Sequence, residues 1–180
     1  MKSYIDADTG FSLVYERLNN EKGKTWDDQL QFDYEANQQY YTKNKDGRSV
    51  AKPSRPIPGP LQDPLSVLYY LRQFPLKVGE PREVVVATAK QTAILSLDIK
   101  REETVKIEGV GSFDCLVVEP RSDYEANLID AQGSIQVFVD KQTNIPVMVQ
   151  VDIAIGKLTA TLSRASNSAL DSRMAQPAKQ

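Results

Sequence analysis

Asp8-Thr9-Gly10 spells the triplet with which aspartic proteases bring two carboxylates together to share a proton and activate water. That chemistry needs an apolar strand running directly into the triplet and a second carboxylate from a repeat or a second copy. Here Asp6-Ala7 precedes it, Phe11 follows, and the similar stretch around Asp140 carries Gln142 where the second acid is required. A hairpin turn is the better reading, because Asp caps turns and Gly takes positive φ. Asp6-x-Asp8-x-Gly10 also begins like a calcium loop, but loop position six is Phe11 instead of Gly and position twelve is Arg17 instead of Glu. Asp27-Asp28 and Glu102-Glu103 are neighbouring acids on strand-like sequence. Adjacent strand residues point to opposite faces, so neither pair can act on one substrate atom, and both read as solvent charges.

The chain of 180 residues contains no histidine. Ser-His-Asp and Cys-His mechanisms and the usual zinc sites, which depend on imidazole, are thereby excluded. Gly109-Val110-Gly111 lacks the third glycine and the helix of a dinucleotide loop and reads as a turn. The lone Cys115 stands mid-strand with Phe113 and Val117 on its face, an apolar setting that dulls a thiol. It is expected to be core filler. No cofactor and no metal are expected, and the chain is read as a non-enzyme.

Composition bounds the remaining classes. Hydrophobic residues make up 41% and charged ones 26%, ordinary for a globular chain, and no apolar run reaches the roughly 18 residues of a membrane helix. The net charge is −2 with Lys and Arg scattered among the acids, which gives no basic stripe able to hold a phosphate backbone, so no nucleic-acid partner is expected. No sequence feature sets an oligomeric state.

The elements follow from turn chemistry and alternation. Tyr4 to Val14 aligns without a gap on Phe138 to Met148: an aromatic and a β-branched residue, Asp, two spacers, Thr, then Gly10 or Asn144 in the position that tolerates positive φ. Both stretches are expected to be hairpins in which the Asp caps the turn. Strands are expected over 11–18, 26–34, 38–44, 83–88, 92–102, 103–108, 113–119, 134–140, 147–155 and 157–163. Within 26–34, Trp26, Asp28, Leu30, Phe32 and Tyr34 share the dry face. Four prolines between Pro53 and Pro60 make an extended connector. Asp63-Pro64 then supplies an N-cap and a first-turn proline and Pro75 a stop, predicting one helix over about 63–74 with Leu65, Leu68, Tyr69 and Phe74 on its apolar surface. The expected fold is mainly β: a strongly curved antiparallel sheet or open barrel clasping this helix, one domain over 1–164, and a flexible tail over 165–180.

Asp63-Pro64-Leu65-Ser66-Val67-Leu68-Tyr69-Tyr70-Leu71-Arg72 resembles the D-P-L-S-x-L-Y-x-L-R helix of a bacterial envelope family catalogued as domain of unknown function 3108. Asp6-x-x-Thr9-Gly10, the run Gly111 to Pro120, Ile145-Pro146-Val147 and Gly156 to Ala160 are also similar to it, so the likeness spans roughly residues 4–164. The resemblance implies a periplasmic or exported protein without known catalytic residues. Members usually carry an export signal and further strands upstream, so a chain shortened at its N-terminus is expected. By analogy of shape with envelope carriers of lipids and lipoproteins, the leading expectation is an apolar small molecule, lipid or lipidated partner bound over Leu65, Leu68, Tyr69 and Phe74. The alternative is a structural or assembly module that pairs through an exposed sheet edge.

Overall fold

The computed structural model describes residues 1–21, 23–122, 134–154 and 156–163. The expected tail, 165–180, lies outside the described residues, as does Ile155 at the end of one expected strand. The fold is mainly β, with two antiparallel sheets and one short helix; among the described residues neither sheet closes on itself.

The chain divides into two compact units, 1–70 with 84–94, and 71–83 with 95–180. The first sheet is a meander of β1 (Lys2–Ile5), β2 (Ser12–Glu21), β3 (Lys24–Asp33), β4 (Gln38–Lys45) and β5 (Arg48–Ala51), with the two-residue β6 (Arg55–Pro56) also paired to β4. The second runs β12-β11-β10-β9-β8-β7, from β7 (Arg82–Ala87), β8 (Thr92–Ile107) and β9 (Gly111–Ser122) to β10 (Ile135–Asp140), β11 (Pro146–Ile153) and β12 (Gly156–Thr161).

The two matched turns are built alike down to the atom. Asp6 Oδ1 accepts the Thr9 N–H at 2.8 Å and the Thr9 hydroxyl at 2.8 Å, while the Gly10 N–H donates to the Asp6 carbonyl at 2.9 Å. Asp140 Oδ2 accepts the Thr143 N–H at 3.1 Å and hydroxyl at 2.7 Å, and the Asn144 N–H donates to the Asp140 carbonyl at 2.8 Å. Gly10 (φ 72°) and Asn144 (φ 54°) hold the left-handed position. A bulge follows Tyr4 in one hairpin and its counterpart Phe138 in the other, so the repeat extends to the register.

Alternation sets each core. In β3, Asp28, Leu30 and Phe32 are buried while Asp27 and Gln31 are exposed. Leu30 and Phe32 pack with Tyr15, Ile57, Leu61 and Ala87, the connector contributing Ile57 from between its prolines and Leu61 following directly after Pro60. The second core gathers Val105, Ile107, Phe113, Cys115, Val117, Phe138 and Val147. Cys115 is wholly buried filler, as its strand position implies.

Three expectations need correction. The helix is shorter than 63–74: α1 spans Ser66–Tyr70 and a 3-10 turn, Leu71–Gln73, completes it. Asp63 does cap it, but the Leu68 N–H donates to the Leu65 carbonyl, an i to i−3 bond that tightens the first turn. The strands expected over 92–102 and 103–108 are one strand, β8, whose register shifts between Ile99 and Arg101. Asp28 is no solvent charge: it is 4% exposed and chelated by Arg17.

Candidate functional site

Three carboxylates, Asp63, Asp6 and Asp98, are engaged in holding local structure. Asp63 is fully buried. Its Oδ1 accepts the N–H groups of Leu65 at 2.7 Å and Ser66 at 2.9 Å, capping α1, and its Oδ2 accepts the hydroxyls of Ser3 and Ser12, each at 2.5 Å. One carboxylate thus ties the helix start to β1 and β2. Beside it the Tyr34 hydroxyl donates to the Ser12 carbonyl at 2.6 Å, and burial pushes the Tyr34 phenol up to about 12. Asp6 sits below the ordinary carboxylate range because the Thr9 N–H and hydroxyl stabilise its charged form. Asp98, on β8, is likewise held low, first by Lys100 and then by Ser96 and Arg121.

A guanidinium plays the matching part for main-chain oxygens. Arg55, in the proline connector, donates to the carbonyls of Lys90 (2.5 Å), Thr88 (3.0 Å) and Ala89 (3.1 Å). With its amide oxygen turned toward that guanidinium, Gln39 accepts from Arg55 Nε at 2.9 Å. Arg55 therefore clamps the β7–β8 turn.

The residues proposed from sequence to line one site divide as follows. Leu65 is half-buried against the first core. Leu68, on α1, is half-buried, while Tyr69 is 54% exposed. Phe74 belongs to the second unit, where it is half-buried and its carbonyl accepts from the Asn144 amide at 3.4 Å. The first three thus share a unit with the Asp63 knot and the fourth does not.

Strand register gathers what linear reading scatters. Beyond the core, the face of the first sheet that carries Leu30 and Phe32 also carries Trp26 on β3 and, opposite on β4, Lys43 and Lys45, whose ammonium groups stand 4.6 and 5.9 Å from the Trp26 ring centre. Val50 and Arg48 of β5 pair with Lys43 and Lys45 and so share their face. Lys43, Lys45, Asp46, Arg48 and Val50 line a recess of about 580 Å³. The signal was present in the alternation of 24–34 and 38–45, yet it appears only once the strands are paired.

At the far side of the second sheet, β12 is exposed at all six positions, Leu158 at 62%. The Leu162 N–H donates to the Val147 carbonyl, which fixes the phase of the ladder. In antiparallel pairing the N–H and C=O of alternate residues point the same way. Leu158 and Ala160 therefore bond to β11, and the main-chain groups of Lys157, Thr159 and Thr161 face away from it.

The family described as "Protein of unknown function (DUF3108)" matches residues 1–163. The chain belongs to that family. No curated protein and no solved structure matches it. The DUF3108 match covers every strand, helix and cap described above. No described helix is long and apolar enough to cross a membrane.

Proposed function

We propose that this DUF3108 protein is a non-enzymatic assembly module of the bacterial cell envelope that pairs with a second copy of itself through the outer edge of β12. The observation that carries the reading is the edge: a strand exposed at every position, with the main-chain groups of Lys157, Thr159 and Thr161 directed away from its only partner strand among the described residues. Such a row is a template for strand addition.

Self-pairing suits this sequence. An antiparallel two-fold centred on Thr159 sets Thr159 against Thr159, Lys157 against Thr161 and Leu158 against Ala160. No like charges oppose each other, and the central Thr–Thr pair is a favourable cross-strand combination. An interface of one short strand is small, so the dimer is weak and depends on concentration. Support for a non-enzyme comes from the buried and capping acids, since Asp6, Asp63 and Asp140 each hold a turn or helix start. The envelope assignment is supported by the family resemblance of the helix motif.

Sedimentation velocity over a concentration series tests the pairing. The natural chain should shift toward dimer as concentration rises, and Thr159→Pro, which removes an outward N–H without touching the bond to β11, should stay monomeric. A natural chain that stays monomeric throughout, or a Thr159→Pro chain that dimerises equally, overturns it.

Tyr69, 54% exposed beside half-buried Leu68, favours a second reading in which an apolar small molecule, lipid or lipidated partner rests on α1. Native mass spectrometry of protein purified from cells should then show a bound lipid that Tyr69→Ser loses; a clean mass eliminates that reading.

A further inference from the structure

The first sheet holds a surface that neither β12 nor α1 uses. By register and contact, Arg17, Lys24, Lys43, Lys45, Arg48 and Lys52 lie on one face beyond the core, together with Trp26, Tyr41 and Val50. Arg17 is neutralised by Asp28, with Nη2 to Oδ2 at 2.9 Å, Glu21 stands opposite Lys24 in the register, and Asp46 stands at the rim. The other cations exceed the described acids beside them, in a chain whose net charge is −2. Lys43 and Lys45 are held over the Trp26 ring and Lys52 over Tyr41 at 4.7 Å, so their ammonium groups are fixed before any partner arrives.

We propose that this face docks on the anionic surface of a phospholipid bilayer. The choice follows from charge, dimension and composition together. Neighbouring strands lie about 4.8 Å apart, so β3 to β5 spread these cations across roughly 10 Å, wider than one phosphate can engage and suited to several headgroups at once. Half-buried Trp26 and Val50, 58% exposed, sit among the cations, and a ring or aliphatic side chain beside Lys and Arg is what the headgroup boundary of a bilayer accommodates. A purely phosphate-binding or nucleic-acid-binding surface would gain nothing from the exposed valine.

Co-sedimentation with vesicles tests this on the full chain. The protein should pellet with vesicles of phosphatidylcholine mixed with phosphatidylglycerol, not with phosphatidylcholine alone, and raised salt should release it. Lys24→Gln/Arg48→Gln/Lys52→Gln removes three exposed charges and should weaken binding roughly 100-fold. Lys43→Gln/Lys45→Gln should weaken it further, with far-ultraviolet circular dichroism reporting whether the sheet is intact. Lys2→Gln/Lys77→Gln/Lys106→Gln removes equal charge elsewhere and should leave binding within a few-fold of the natural chain. Equal binding to both vesicle types overturns the proposal, as does an equal loss in the control triple. Displacement by inorganic phosphate beyond that by chloride at matched ionic strength, or tighter binding to a single-stranded oligonucleotide than to vesicles, also overturns it.

Discussion

Replacing Asp63 by alanine takes the shared acceptor from four donors at once. The Leu65 and Ser66 N–H groups lose their cap, which costs about 1 kcal/mol, and the hydroxyl of fully buried Ser12 is left without its acceptor, at about 1–3 kcal/mol. Ser3 is half-buried and can turn to water, so it adds little. The sum is about 3 kcal/mol, a large share of the 5–15 kcal/mol that holds a typical domain. Asparagine behaves differently. Its oxygen still caps α1, and its amide nitrogen donates to serine oxygens that can turn from donor to acceptor, so Asp63→Asn should cost only about 1 kcal/mol. Trp26, the sole tryptophan, lies in the same unit and reports its unfolding in urea. With a slope of about 2 kcal/mol per molar, the alanine variant should lower the midpoint by roughly 1.5 M and the asparagine variant by roughly 0.5 M. An alanine variant within about 0.5 M of the natural chain, or an asparagine variant as damaged as the alanine one, would refute the assignment of Asp63 as a buried four-donor knot.

Other consequences are equally direct. Arg55→Lys cannot span three carbonyls and Gln39 together, and should lower the stability reported by Trp26 by about 1–3 kcal/mol in the same urea assay. Tyr34 is protonated in the folded chain up to about 12, whereas an unfolded tyrosine ionises near 10. Its contribution is therefore complete below pH 10 and is lost as pH rises toward 12; burial raises Tyr15 and Tyr41 as well, and ultraviolet titration should show late phenols from which Tyr34→Phe removes the one that ionises near 12. Asp98, with its pKa depressed, works in the opposite direction: its ion pairs support the fold above about pH 4 and fade as acid protonates it, so Asp98→Asn should flatten the acid limb of a stability–pH profile. Gly10→Ala forces a Cβ into the left-handed region at φ 72° and should destabilise by about 1–2 kcal/mol, measured by thermal unfolding.

What could be read from residues alone was whatever is decided within a few positions. The Asp-x-x-Thr turns at Asp6 and Asp140 were legible because their hydrogen bonds close inside five residues. The Asp63 cap and the buried face of β3 were legible for the same reason: a short spacing or period dictates them. The length of α1 was not, since the slip to i−3 bonding at Leu68 leaves no mark in a sequence that is helical in type throughout. Nor was the joining of 92–107 into one strand, because Glu102 and Glu103 look like a break until Lys141 and Arg101 pair with them. The burial of Asp28 depended on Arg17 from a neighbouring strand, and the basic face on the pairing of β3, β4 and β5. The division of strands between two sheets is long-range in the same sense.

A spin label at Thr159→Cys asks most directly whether β12 meets its own copy. Cys115 is wholly buried and should remain unlabelled in the folded protein. At a concentration where dimer forms, the two-fold sets the paired Thr159 Cα atoms about 5.5 Å apart, so the two nitroxides should couple strongly at close range, while a label at Lys106→Cys should not. A dimer whose Thr159 labels show no close coupling, or no dimer at any concentration reached, would contradict it.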